Sequence, residues 1–337
     1  MPTPSPATTR LYDLADELYR LAPWDWMDET QLIALRHPQT GEIGYLSVMG
    51  IAGSHRALAV YLGQEAIERY NRVHSDDPGT QQDSIRLILE SRQLQVSFNE
   101  RAMLSKADLA EIKALGRKYR GECWPQMRSF HPGIEAEPIN EAEALWLTLA
   151  VEQLLALAPL LRSDPDQTFR TNDLGVLILC RQQSAAGDWT DAWEPHHMAN
   201  YAFPSPPCDA ALAAKVKAHP RAANIECLFT LLPSPIRPKG GRGVYPYILL
   251  AVDADTHMIL GFELLTVEKQ TFEELIASVP NFFLSLFDKA RIRPLSLDCA
   301  SVATEHLLHQ PALALGVKVE CYEELPLLDQ LIASMPF

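Results

Sequence analysis

Ile225-Glu-Cys-Leu-Phe-Thr-Leu-Leu232, Tyr247-Ile-Leu-Leu-Ala-Val252 and Met258-Ile-Leu-Gly-Phe-Glu-Leu-Leu-Thr266 are three short apolar runs, and their reading decides the fold. Their length and their β-branched and aromatic content predict strands. Asp253-Ala-Asp-Thr256 between the second and third is turn chemistry, because Asp side chains hydrogen-bond nearby backbone. Beyond them the apolar spacing turns helical over Phe272 to Lys289, and Pro294 to Leu297 reads as a short strand. Val302 to Leu315 reads as a helix, Val317 to Cys321 as a strand and Leu325 to Ser334 as a closing helix. The order is three strands, helix, strand, helix, strand, helix, which predicts a mixed sheet flanked by helices over 222–337.

Working back from this unit, the pattern first degrades. Between Ser163 and Arg221 one apolar strand, Gly175 to Cys180, is followed by Gly-, Trp- and Pro-rich sequence, which predicts a connector or covering segment over 163–221. Residues 9–162 read as an α+β domain. A helix from Thr9 to Leu21 precedes two strand-like runs, Gln31 to Arg36 and Glu42 to Met49, and a third at Ala57 to Leu62, forming an antiparallel meander with a helix from Gln64 to Val73 across it. A helix near Asp83 to Ser91 and a strand near Gln93 to Phe98 follow. Ser105 with Asp108, and Asn140 with Glu143, are capping-box starts, the second opening a long apolar helix from Glu141 to about Leu161. The fold class is therefore α/β and α+β in two parts.

The 337 residues suit two domains, and 47% hydrophobic with 21% charged residues is enough apolar content for each to bury a core. A net charge of −14 repels phosphate backbones, so a nucleic-acid role requires a local basic surface. Six cysteines without a CxxC pair read as buried thiols. Met1 to Thr9 lacks the basic-then-apolar order of a signal peptide, and the apolar helix is interrupted by Glu152, Gln153 and Pro159. The expectation is a cytoplasmic protein with no membrane anchor.

The element order in 222–337, with the strand-Asp-helix step at Leu295-Ser-Leu-Asp298, resembles the ribonuclease H-like fold of integrases and transposases. That resemblance implies carboxylates from the first strand, the end of the fourth strand and a later helix, clamping two divalent metals around a phosphate. Asp298 matches the second position. The first strand offers only Glu226, with Leu228 and Phe229 where an inward acid is expected, and Glu305, Glu323 and Glu324 are candidates for the third without the family's longer spacing. The set looks incomplete, and the domain resembles a degenerate member. Over most of the chain, Leu11-Tyr-Asp-Leu14 with Trp24 and Trp26, Thr40-Gly-Glu-Ile-Gly-Tyr45, Ser47-Val-Met-Gly50, Val60-Tyr-Leu-Gly63, Tyr245-Pro-Tyr247, Asp253, Gly261-Phe262 and Glu324-Leu-Pro326 resemble bacterial two-domain proteins whose domains are of unknown function. That resemblance implies the two-part division and no activity.

The leading reading is a non-catalytic interaction or regulatory protein that binds a protein or another macromolecule and needs no cofactor. Beside it stands a metal-dependent nuclease or phosphoryl-transfer enzyme using Glu226, Asp253 and Asp298, with Mg²⁺ or Mn²⁺ held by Asp253 and Asp298. A third reading is small-ligand binding in a cleft between the halves. Arg117, Lys118, Arg120 and Arg128, with Lys113, Tyr119 and Trp124 among them, form a candidate macromolecule-binding stretch whose plainer reading is a solvated helix end. Gly50-x-x-Gly53-Ser54 reads as a hairpin rather than an anion loop, His196 and His197 as loop residues rather than zinc ligands, and Arg237-Pro-Lys-Gly-Gly-Arg242 as a flexible loop.

Overall fold

The computed structural model describes residues 5–51, 53, 55–76, 78–173, 175–196, 201–232, 234–238 and 241–334. The chain divides into two compact units. One comprises Met1–Asn71, Ser91–His131 and Ala136–Ala199; the other comprises Arg72–Glu90, Pro132–Glu135 and Asn200–Phe337.

The first unit opens with α1 (Pro6–Leu21), started by Ser5, whose side chain accepts the N–H of Thr8. The meander follows as β1 (Ile33–Arg36), β2 (Ile43–Met49) and β3 (Ala57–Leu62). Then come α2 (Gln64–Val73), β4 (Gln93–Asn99) and α4 (Lys106–Ala114), with α3 (Gln81–Leu89) between α2 and β4 in the chain but belonging to the second unit. A hairpin of β5 (Trp124–His131) and β6 (Ile134–Glu137) leads to the long α5 (Glu141–Ser163). Finally β7 (Phe169–Asn172), β8 (Gly175–Gln183) and β9 (Trp189–Pro195) complete it. Among the described residues these strands form one nine-stranded sheet in the order β6-β5-β4-β3-β2-β1-β8-β7, with β9 also on β8. Within segment 163–221, expected as a connector, β7, β8 and β9 thus extend the first sheet, through a parallel pairing of Ala34 with Cys180.

The apolar residues of α1 and α5 cover one face of this sheet, and α2 covers part of the other. The sequence-read caps of α4 and α5 are present: Asn140 and Glu143 exchange hydrogen bonds at 3.0 and 2.8 Å, a start worth about 1 kcal/mol. By length and composition α5 is apolar enough to cross a membrane, yet more than half of that stretch is buried in this core. Gly44 serves a close approach: a Cβ there would lie 2.6 Å from Trp146, whose indole donates to Glu42 at 3.2 Å. The β5–β6 hairpin is the main element the sequence reading lacks. Its alternation of buried Pro125, Met127 and Ser129 with Gln126, Arg128 and Phe130 is strand periodicity, but a proline near its start and basic and aromatic residues disguise it.

The second unit begins with α3, which the sequence reading assigned to the first domain. It packs against this unit's own residues: Asp83 accepts from Ser301 at 2.7 Å, and Glu90 from Tyr247 at 3.1 Å. After α6 (Ala210–Lys217) come β10 (Asn224–Leu231), β11 (Tyr247–Asp253), β12 (Ile259–Leu265), α7 (Phe272–Ala290), β13 (Ser296–Cys299), α8 (Val302–Leu315), β14 (Lys318–Cys321) and α9 (Pro326–Ser334). The five strands form a sheet in the order β12-β11-β10-β13-β14. β11 is antiparallel to both its neighbours, and β13 and β14 run parallel to β10. This is the mixed sheet the sequence predicts. Residues of α6, α7 and α8 join one face in the larger core, and Leu328 of α9, with Leu325 just before it, joins Leu228, Leu232, Ile248, Leu250 and Val252 on the other.

Candidate functional site

Partners in register across neighbouring strands share a face, and successive residues alternate between faces. On the α9 face of the second sheet the register sets Ile259, Val252, Glu226, Asp298 and Glu320 in one row across all five strands. Glu226 and Asp298 are therefore neighbours. Asp253 is opposite Ile225, on the other face, and its carboxylate turns into its own hairpin, accepting the N–H groups of Asp255 at 2.9 Å and Thr256 at 3.0 Å. Those bonds, that of Thr256 first, hold its pKa below the usual range. The trio read from sequence is not assembled, because a shift of one residue along a strand reverses the face.

A carboxylate the sequence reading passed over stands closer. Burial raises the pKa of Glu226; the N–H of Leu328 opposes this, and the charges of Asp298 and of Asp329 on α9 raise it further. Burial, and then Glu320, raise Asp298. The Oε2 atom of Glu226, whose residue is 9% exposed, has no hydrogen-bond partner among the described residues. The signal for Asp329 was its place on the helix after the fifth strand. Among the described residues, however, no group of three His, Cys, Asp or Glu is positioned to hold a metal ion, so neither trio fits a two-metal centre as it stands. Asp298 does not cap α8 either; Ser301 does, accepting the Thr304 N–H at 3.3 Å.

The same face ends in an apolar edge. Phe262 and Leu264 of β12 stand opposite Leu250 and Ile248, yet they are 58% and 50% exposed, and Met258 and Ile259 at the strand's start are 65% and 47% exposed. Among the described residues α9 covers the buried β11 residues and leaves those of β12 uncovered.

Two cations of the basic stretch of the first unit, Arg117 and Arg128, are neutralised at home. Arg117 pairs with Asp13 and, at 2.5 Å, with Asp16, and lies over the Tyr12 ring. Arg128 sits in β5, not at a helix end, and grips Asp108 with two bonds of 2.9 and 2.6 Å. Burial pushes Asp108 up, but the bonds from Arg128 and Ser105 outweigh it and bring the pKa down to about 2. Lys118 and Arg120 are exposed. Nearby, Thr8, Tyr12, Asp108, Glu111 and Ile139 line a pocket of about 80 Å³, where small-molecule sites run roughly 300–1,000 Å³.

The glycine turn joins β2 to β3 with Gly50 and Gly53 at φ 123° and 78°, and a strand, not a helix N-terminus, follows it; Ser54 lies outside the described residues. His196 is buried beside Phe169 and Tyr45, an aromatic setting, and His197 lies outside the described residues. Arg237 pairs with Glu135, while Lys239 and Gly240 of its loop lie outside them.

Fold and site define an α/β protein of two units, one around a meander-based sheet and one around a mixed sheet with a carboxylate row and an apolar edge. The chain belongs to the family of the domain of unknown function DUF7309, whose profile matches residues 9–179, and the domain of unknown function DUF6930 matches 212–336. No curated protein and no solved structure matches it.

Proposed function

We propose that this is a non-catalytic interaction protein whose second unit binds a partner protein, and that the partner presents a basic segment bearing apolar side chains. The observation that carries the reading is the exposure of Phe262 and Leu264 on an edge strand, since an uncovered apolar strip beside unpaired backbone groups is the usual substrate of strand addition. Charge complementarity supports the basic partner. Glu226 and Asp298 lie on the same face without a cation in the described ion pairs, and the chain carries −14 overall. The same charge weighs against nucleic acid.

The test is mild affinity isolation of the intact chain from its own cells, beside a Phe262→Asp/Leu264→Asp variant. A stoichiometric basic protein that leaves at high salt and is missing from the variant supports the reading. A chain recovered alone, or the same partner on both, overturns it.

A second reading, metal-dependent phosphoryl transfer by a degenerate ribonuclease H-like core, is favoured by one observation. The strand order β12-β11-β10-β13-β14 with β11 antiparallel accompanies the gathering of Glu226, Asp298 and Asp329 on one side. Mg²⁺ or Mn²⁺ would be its cofactor, but the donor set among the described residues does not fit one.

A further inference from the structure

Two thiols of the second unit stand side by side. Cys299 ends β13 and Cys321 ends β14, and the parallel register pairs them directly. Neighbouring strands lie about 4.8 Å apart, and disulfides form where the Cα atoms are roughly 4.4–6.8 Å apart. The backbone thus meets the distance requirement for a bridge without moving. Residues paired in register point to the same face, so the two side chains lie side by side. Both are free thiols.

The pair is asymmetric. Cys299 is fully buried, its Sγ donating to the carbonyls of Ser301 at 3.7 Å and Glu320 at 3.6 Å. Cys321 is exposed on an edge strand, which among the described residues pairs only with β13. One thiol is open to a dissolved oxidant, and the other is held behind it where only its neighbour can reach. Cys227 of β10 follows Glu226, the partner of Asp298, and shares the core with Cys299, but it is fully buried.

We propose that Cys299 and Cys321 are a redox pair that closes to a disulfide when a peroxide or a small-molecule disulfide reaches Cys321. With hydrogen peroxide, the Cys321 sulfur attacks one oxygen, the O–O bond breaks, and a sulfenic acid and one water result. The Cys299 sulfur then attacks that sulfenic sulfur, the S–OH bond breaks, and the departing hydroxide takes the Cys299 proton as a second water. Two thiols lose two electrons and two hydrogens, and the peroxide takes them up. An external thiol reverses the bridge by exchange. Burial holds the Cys299 thiol above its ordinary pKa, and partial desolvation with the charges of Glu305 and Asp83 raises that of Cys321, so thiolate is scarce and the pair answers an excess of oxidant. The bridge encloses α8 and fastens β14, the strand from which the chain turns to reach α9.

The test is peptide mapping of the intact folded chain without reductant, after hydrogen peroxide and, separately, oxidised glutathione. The expected product is a single cross-link between Cys299 and Cys321 with loss of two hydrogens, reversed by dithiothreitol, and increased hydrogen-exchange protection of β14. In Cys299→Ser, Cys321 should stop at a dimedone-trappable sulfenic acid or a glutathione adduct, and in Cys321→Ser, Cys299 should stay reduced. Oxidation of Cys321 in the wild-type chain without a link to Cys299, or a Cys227–Cys299 link, overturns the proposal. So does a link that forms equally fast in urea.

Discussion

Glu226 and Asp298 occupy paired positions on the parallel strands β10 and β13, on one face of the second sheet, and burial, with the charge of Asp298 added to it, raises the pKa of Glu226. The pair is the part of the sequence-read acid set that the fold brings together; Asp253 lies one residue out of phase and spends its carboxylate on a turn. This relationship sets the first two expectations.

Substituting Glu226 by Gln should stabilise the chain at neutral pH. A carboxyl with a folded pKa above its unfolded value binds more protons folded than unfolded, so its contribution falls as pH rises from the unfolded pKa through the folded one. The isosteric amide removes that penalty. Urea midpoints at pH 7 and pH 4 check it: the gain over wild type should appear at the higher pH and shrink at the lower.

With Mn²⁺ present, the purified chain should leave single- and double-stranded DNA and RNA intact, and Asp298→Asn and Asp329→Asn should match wild type. Cleavage that either variant loses would establish the phosphoryl-transfer reading instead.

Asp108 has the opposite sign to Glu226. Held at about 2 against a usual value of 3.8, it contributes stability above its unfolded pKa, and this is lost as pH falls from near 4 to near 2. A shift of that size on a buried, doubly bonded carboxylate corresponds to roughly 2 kcal/mol. Asp108→Asn should therefore cost about that much at pH 7 and little at pH 2, read from urea unfolding curves. Arg128→Met should cost at least as much at pH 7, because it leaves the carboxylate buried without its main partner.

Gly44→Ala should destabilise the first unit by about 1–3 kcal/mol, the cost of overpacking against a ring 2.6 Å away. Trimming the ring should recover part of it: Gly44→Ala/Trp146→Phe should lose less than the sum of the single variants in thermal denaturation.

Phe262→Asp/Leu264→Asp should change unfolding free energy by no more than about 0.5 kcal/mol, because exposed positions contribute little to folding. Loss of the partner with an unchanged melting curve separates a binding role for these side chains from a packing one.

Local chemistry made most elements legible. Asn140 with Glu143 fixed the start of α5, Ala57 to Leu62 read as β3, and the three apolar runs and the helix-strand alternation after them gave the second unit its order, because capping, turn chemistry and periodicity depend on neighbours in sequence. Tertiary structure alone decided the rest. It placed β7, β8 and β9 on the first sheet, gave α3 to the second unit through Asp83 and Glu90, and committed Arg117 and Arg128 to acids 101 and 20 residues away, respectively. It set Glu226 beside Asp298 and Cys299 beside Cys321 while turning Asp253 away. Strand register makes these choices, since it joins residues distant in sequence and one step of it reverses a side chain's face.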